Sequence, residues 1–426
     1  MTTSPRSLFY GWKVVAAAFI VLFTAYGAQY SFGVFFNALL QEFHWSRASL
    51  SGVFSLYAFG YSVFGFPAGR LTDAWGPTRV IAGGALFLGA ALASMALVTE
   101  LWQPYLLYGV IAAVGMGTAY VPCNSTVVKW FARRRGLAVG LASSGGSVGT
   151  FVVPPVAQLA VSALGWRGAY LVVGATVFAV LAATAPLMRR DPESMGLHPD
   201  GDATSPPVPR AGGEGLTLTA AARTSTFRLM AIAFAATWIP VFIPLVHVVP
   251  LARDLGHSPM TAAAAVSVLG GGAVVGRLVM GIVSDRIGRR PTIGLGMLLQ
   301  ATGFAAFTVA HELLSLYAAA LVFGFSYGTI STLFPAIVGD FFGRAHAGAI
   351  VGCLFALAGC MAAWGPLMAG AAYDVTGSYR VAFLISAALN LLVVALLAAS
   401  TRVRRGGGMS GRAILRRTIT AAGERR

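Results

Sequence analysis

The stretch GIVSDRIG, Gly281 to Gly288, repeats GRLTDAWG, Gly69 to Gly76, at a shift of 212 residues. Both read glycine, a variable residue, an aliphatic residue, a hydroxyl, aspartate, a variable residue, a large apolar residue and glycine. The match extends outward. Under the same shift Trp45-Ser46 meets His257-Ser258, and WFARRRG (Trp130–Gly136) meets FFGRAHAG (Phe341–Gly348) at nearly that distance. A repeat this long means the chain holds two copies of one large unit.

The composition says what the unit is made of. Of 426 residues 57% are hydrophobic and only 10% charged, against roughly 25% charged in soluble domains. Apolar windows of about 20 residues, enough to cross a roughly 30 Å hydrocarbon core, fall at 12–37, 48–69, 79–99, 103–128, 137–160, 167–188, 227–251, 259–284, 291–310, 314–339, 347–372 and 379–400. Each is expected to be a helix, which satisfies its own backbone hydrogen bonds where no water can. The first runs on to Phe36, too long for the apolar core of a signal peptide. The expected fold is an all-α membrane protein of about twelve transmembrane helices in two pseudo-symmetric six-helix bundles. Residues 1–190 form the first bundle and 227–400 the second. Between them 191–226, rich in Pro, Gly and Ser, reads as a flexible cytoplasmic linker, and 401–426 as a basic cytoplasmic tail.

A net charge of +16 raises nucleic acid as a partner, but its distribution excludes it. Arg6, Lys13, Arg70, Arg79, Lys129, Arg133, Arg134, Arg135, Arg189, Arg190, Arg286, Arg289, Arg290, Arg344 and the tail from Arg402 lie on one alternating set of connections. The other set has Arg47, Arg167, Arg253 and Arg380. Cytoplasmic loops carry the Lys/Arg excess, so the bias places both termini and the central linker in the cytoplasm, with the protein in the cell (inner) membrane. The tail would also attract anionic lipid. Cys123, Cys353 and Cys360 all fall within apolar spans, without disulfide or metal-ligand spacing. Neither a nucleophile–base constellation nor a nucleotide loop occurs, so no enzyme activity, metal or cofactor is expected, and the monomer is expected to be the working unit.

Weak six-plus-six symmetry is the mark of alternating-access transporters, whose substrate site lies near the midplane between the halves. One residue stands out against it. Arg277 is a guanidinium in the middle of span eight, eight residues or about 12 Å from Asp285. Shifted by 212 it falls on Gly65, so the architecture does not require a cation there. An intramembrane charge is costly and normally has a partner. The spans contain no Asp or Glu away from their ends. A structural ion pair is one reading. The other is a substrate carboxylate matched to the planar fork, and a single cation suits one carboxylate better than two.

Further wall candidates sit in pairs on one helix face: Tyr120 and Asn124, Tyr327 and Ser331, Tyr26 and Tyr30. Each pair could instead pack between helices. Tyr379, at the far end of span twelve, is a candidate for either the site or the membrane interface. His247 and His311 lie near span ends, as proton-sensing or packed histidines.

GRLTDAWGPTR resembles the signature loop of the major facilitator superfamily, and SDRIGRR repeats it. The resemblance implies a gate at the cytoplasmic side, with Asp73 and Asp285 near helix ends and Arg79 and Arg289 as basic partners. FYGWKVV (Phe9–Val15), WFARRRGLAVGLASSGGSVG (Trp130–Gly149), GRLVMGIVSDRIGRR and YDVTGSYRVAF (Tyr373–Phe383) are together similar to the monocarboxylate transporter family and its relatives, the bacterial oxalate–formate antiporters. In that family an arginine of span eight, followed by a glycine on the same face, binds the substrate carboxylate; Arg277 and Gly281 match. The chain departs from the family at three places. Ala273 replaces a frequent aspartate, Tyr30 stands where animal members have a lysine, and no lysine or arginine lies between Arg344 and Arg380, where the oxalate antiporter adds one. The resemblance implies a secondary transporter of a small monocarboxylate such as lactate or pyruvate, with proton symport. Anion exchange of the oxalate–formate type, or efflux of other small molecules, is the alternative.

Overall fold

The computed structural model describes residues 9–131, 134–201, 216–342 and 347–406. Arg133, Arg344 and the tail from residue 407 lie outside the described residues, as does the linker segment 202–215. Among the described residues nine helices are long and apolar enough to cross a membrane. Tyr10–Phe43, Arg47–Trp75, Pro77–Leu97 and Trp102–Trp130 realise spans one to four. Leu137–Leu187 turns sharply at Gly165 (φ 69°, ψ 167°), which divides it into spans five and six. Ser225–Asp254, Pro259–Ser284, Leu313–Phe334 and Ile350–Thr376 are spans seven, eight, ten and eleven. Spans nine and twelve are the helices Arg289–Phe307 and Arg380–Gly406, the latter apolar over Arg380–Ala395. Large apolar side chains such as Phe66, Ile232 and Leu278 remain exposed, as expected of surfaces that meet lipid instead of water.

The repeat is visible in the backbone. Helices Arg47–Trp75 and Pro259–Ile287 have the same length, 29 residues. Each starts on a serine whose hydroxyl accepts a backbone N–H three residues on, Ser46 from Ser49 and Ser258 from Thr261. Each ends on a glycine in a conformation that side chains avoid, Gly76 (φ 84°, ψ 158°) and Gly288 (φ 89°, ψ 154°). Tyr105 Oη donates to the Ser49 carbonyl and Tyr317 Oη to that of Thr261, both at 2.8 Å and again 212 residues apart. At the motif itself the Gly76 N–H donates to the Thr72 carbonyl and the Gly288 N–H to that of Ser284, so in each half the repeated glycine ends a membrane helix and turns the chain back.

Small residues then set how closely helices approach. A Cβ on Gly145 would lie 2.2 Å from the Phe19 carbonyl of span one, and one on Gly276 would lie 2.0 Å from the Phe325 carbonyl of span ten. Gly270 brings span eight against Phe151 of span five, across the halves. Four spans are interrupted: span one at Ser31, span four at Thr118–Ala119, span seven around Pro240, and span eleven at Ala363. Irregular backbone at membrane depth is tolerated where it is buried in protein or lines a cavity.

The chain is hydrogen-bonded to the first half where it leaves span six for the linker. Thr78 Oγ1 donates to the Met188 carbonyl (2.8 Å), Trp130 Nε1 to that of Arg189 (3.0 Å), and Arg190 to that of Asp73. Further on, Asp200 accepts the Arg134 N–H at 3.4 Å. The basic residues that mark this face are thereby also used to hold the linker on the first half.

Candidate substrate site

Arg277 projects from the middle of span eight, where Gly276 presses the backbone onto span ten and Gly281, one turn further, has no atom within 4 Å of where a Cβ would be. The side chain is half-buried, and its Nε is buried without a hydrogen-bond partner. Its charge acts on two phenols of the first half, Tyr26 of span one and Tyr120 of span four. Neither carboxylate nor carbonyl among the described residues answers it.

Aromatic rings from both halves surround this position. Tyr26 packs on Tyr30 (5.9 Å between centroids) and edge-on to Tyr120 (6.5 Å). Tyr120 stacks on Phe355 of span eleven at 6.0 Å with 8° between planes. Trp238 of span seven meets Phe355 and Tyr327 edge-on at 5.0 and 6.3 Å. The Tyr30 and Tyr327 hydroxyls meet across the halves at 3.4 Å. Tyr30, Tyr120 and Trp238 each flank one of the helix interruptions, so the irregular turns and the phenols share one region.

The structure thus brings together Arg277, Tyr30, Tyr120 and Tyr327. Asn124 and Ser331 also make bonds within the protein. The Asn124 amide donates to the Tyr120 carbonyl (3.0 Å) and accepts from Ser143 (2.9 Å), tying span four to span five, and Ser331 donates to the Gly328 carbonyl of its own helix (3.1 Å). Three neighbours were missed in the sequence: Tyr61, close to Tyr26 and Tyr30, Trp238 and Phe355. Tyr57 and Tyr61 at helical spacing were the available signal for the first; the other two come near only through folding.

Tyr379 is elsewhere. It belongs to a cluster at the face opposite the basic one, called the far face below, where the halves are joined. Arg47, at the start of span two, donates to Asp254 of span seven and to the Tyr379 hydroxyl, each at 2.6 Å. Its backbone N–H and that of Ala48 donate to the Asp374 carboxylate at 3.0 and 2.8 Å. Ser55 accepts the Leu367 N–H at 3.2 Å. Sequence reading placed Arg47 among loop cations because its partners lie on other spans.

At the basic face Asp73 pairs with Lys129 (2.8 Å), while Arg79 is exposed and has no ion-pair partner among the described residues. Arg289 is half-buried where span nine begins; the Asp285 side chain lies outside the described residues.

The Major Facilitator Superfamily model matches residues 18–251 and 226–413. Monocarboxylate transporter 13 of Bos taurus is 32% identical over 90% of this chain and 87% of its own length. Monocarboxylate transporter 11 of Homo sapiens is 30% identical over 90% and 81%. The chain belongs to the monocarboxylate transporter family. As a member of this family and superfamily it is a membrane transporter and not an enzyme. Solved structures agree on the fold. A point mutant of the nucleoside transporter NupG is similar with a TM-score of 0.70 at 14% identity, covering 92% of this chain and 99% of that one. A bacterial homologue of the human lysosomal transporter Spinster, in an inward-facing and occupied conformation, gives 0.72 at 14% identity, over 93% and 98%.

Proposed function

We propose that this family member carries a small monocarboxylate, lactate- or pyruvate-like, by alternating access, and that Arg277 binds the carboxylate. One observation carries the reading: a half-buried guanidinium whose Nε is buried without a partner, set among phenols with no acid answering it among the described residues. Such a charge is stabilised by an anion that presents two oxygens to the fork. Tyr30, Tyr120 and Tyr327 orient it and limit its size. The missing second cation in span eleven argues against a dicarboxylate. The names of the curated relatives support the substrate class.

In this reading the basic face is cytoplasmic, the protein sits in the cell (inner) membrane, and the halves 1–190 and 227–400 rock about the site as a monomer. The far face is bonded shut, so the substrate exchanges with the cytoplasm, past the open space at Gly281. Uptake is proton-coupled, with the proton moving on the substrate, water or a phenol, because arginine does not release its own.

Counterflow in proteoliposomes with labelled mono- and dicarboxylates tests the site. Arg277→Gln should lose about 2–5 kcal/mol of binding, a drop of roughly 30-fold or more in affinity, with folding intact. Saturable wild-type-like uptake by this variant would reject the assignment. A pH dye in the external buffer tests coupling: absence of alkalinisation during downhill inward uptake would leave uniport or exchange.

A further inference from the structure

His247 is fully buried in span seven at the far face, and its hydrogen bonds fix where its proton is. Nε2 lies 3.0 Å from the Pro366 carbonyl, which can only accept, so Nε2 carries the hydrogen. Ser51 Oγ, 3.3 Å away, donates its own hydrogen to the Arg47 carbonyl (2.6 Å) and offers Nε2 a lone pair. Nδ1 is therefore the acceptor of the neutral ring, and at 3.1 Å it takes the Tyr379 hydroxyl hydrogen. The Tyr379 oxygen in turn accepts from Arg47, whose other nitrogen donates to Asp254. Each bond of the chain from His247 to Asp254 thus has one possible donor, with donation running outward from Arg47 on both sides, and the chain crosses between halves at Ser51 and Arg47.

The geometry points to His247 as a proton-binding site that releases the far-face closure. A proton on Nδ1 removes the acceptor of the Tyr379 hydroxyl and sets two donors against each other. It also places a second cation one phenol away from Arg47. The groups facing the imidazole offer no compensation. They are Arg47 and Ser51 of span two, Phe36 edge-on from span one (5.6 Å), Pro366 of span eleven and Tyr379, with Asp374 acting at longer range. Asp374 is already occupied by the N–H groups of Arg47 and Ala48, and Asp254 by the Arg47 side chain. Opening the far face gives the charged ring water.

The internal symmetry argues that this is not architecture. Shifted by 212, His247 falls on Phe35 and Asp254 on Glu42. Glu42 pairs inside its own half, with Arg167 and Trp166. Only the second-half copy reaches across to the other half, and only that copy has an imidazole behind it.

The closed form binds one proton fewer than the open form, so acid favours opening. The open-to-closed ratio should rise as pH falls through the ordinary histidine range near 6.5, by at most tenfold per pH unit for a single proton. Spin labels on Glu100→Cys and Glu312→Cys, both exposed at far-face loops of opposite halves, report the opening. The background would have Cys123, Cys353 and Cys360 replaced. The protein is held in nanodiscs without substrate, so the outcome does not depend on which carboxylate is carried or which way the protein faces. Double electron–electron resonance between about pH 8 and pH 5 should show a longer distance growing in acid. His247→Gln keeps a donor for Pro366 and an acceptor for Tyr379 but cannot titrate, and should hold the short distance throughout. Tyr379→Phe cuts the link between His247 and Arg47, and should flatten the pH response even if His247→Gln fails to fold. Distances in the unmutated relay that ignore pH would overturn the proposal. So would a wild-type pH step in either variant, which would assign the proton to Asp254 or Asp374.

Discussion

At the scale of single residues, position 277 separates charge from shape. Arg277→Lys keeps a cation but replaces a fixed fork with a point charge; it should weaken carboxylate binding by about 1.5–3 kcal/mol, visible as a raised half-saturation in counterflow. Its two glycines should respond oppositely. Gly276→Ala drives a methyl onto the Phe325 carbonyl and should cost about 1–3 kcal/mol of stability, read as a lower unfolding temperature. Gly281→Ala meets nothing; it should change stability by less than about 0.5 kcal/mol and lower substrate affinity if the open space there is the approach to Arg277. How far such residues can be read from sequence depends on where their partners are. Arg277 was legible because its anomaly is local, a charge in an apolar run with no acid within reach. Tyr379 and Arg47 were not, because each takes its meaning from side chains brought in from other spans. Asn124 sits beside Tyr120 as helical spacing implies, and its bond from Ser143 of span five was beyond reach of the sequence.

At the scale of elements, boundaries were readable wherever the chain marks them chemically. Ser46 and Ser258 cap, Gly76 and Gly288 terminate, and the 212-residue shift aligns both sets. Gly288→Ala should therefore cost about 1–3 kcal/mol, since its backbone conformation is nearly closed to other residues, and thermal melting of the purified protein would show it. The interruptions of spans one, four, seven and eleven were hidden within long apolar runs, because hydropathy records burial and is blind to a break in hydrogen bonding. The linker's Pro and Gly content suggests freedom, while its Asp200 accepts the Arg134 N–H of the first half, beyond a junction where Trp130 donates to the Arg189 carbonyl and Arg190 to that of Asp73.

At the scale of the whole molecule, the two halves are alike in fold and unlike in what they hold. At the proposed site the first contributes Tyr30 and Tyr120, the second Arg277 and Tyr327. At the far face the first contributes a helix start and Arg47, the second two carboxylates, a phenol and an imidazole. Weakening that junction should bias the transporter without touching the site: Asp254→Asn, at a partly exposed ion pair, should cost the closed form about 1 kcal/mol. At pH 8 the open-to-closed ratio in the spin-label experiment should then rise roughly fivefold, while the His247-dependent step persists.

The Asp374 carboxylate bears on how the protein is made. The first two amides of span two find their acceptor 327 and 326 residues further along the chain. While the first half is being inserted, that helix begins with bare N–H groups at the membrane surface, held only by Ser46 and water. Its last hydrogen bonds close when span eleven arrives, so completion of an early helix becomes a signal that the late one is in place.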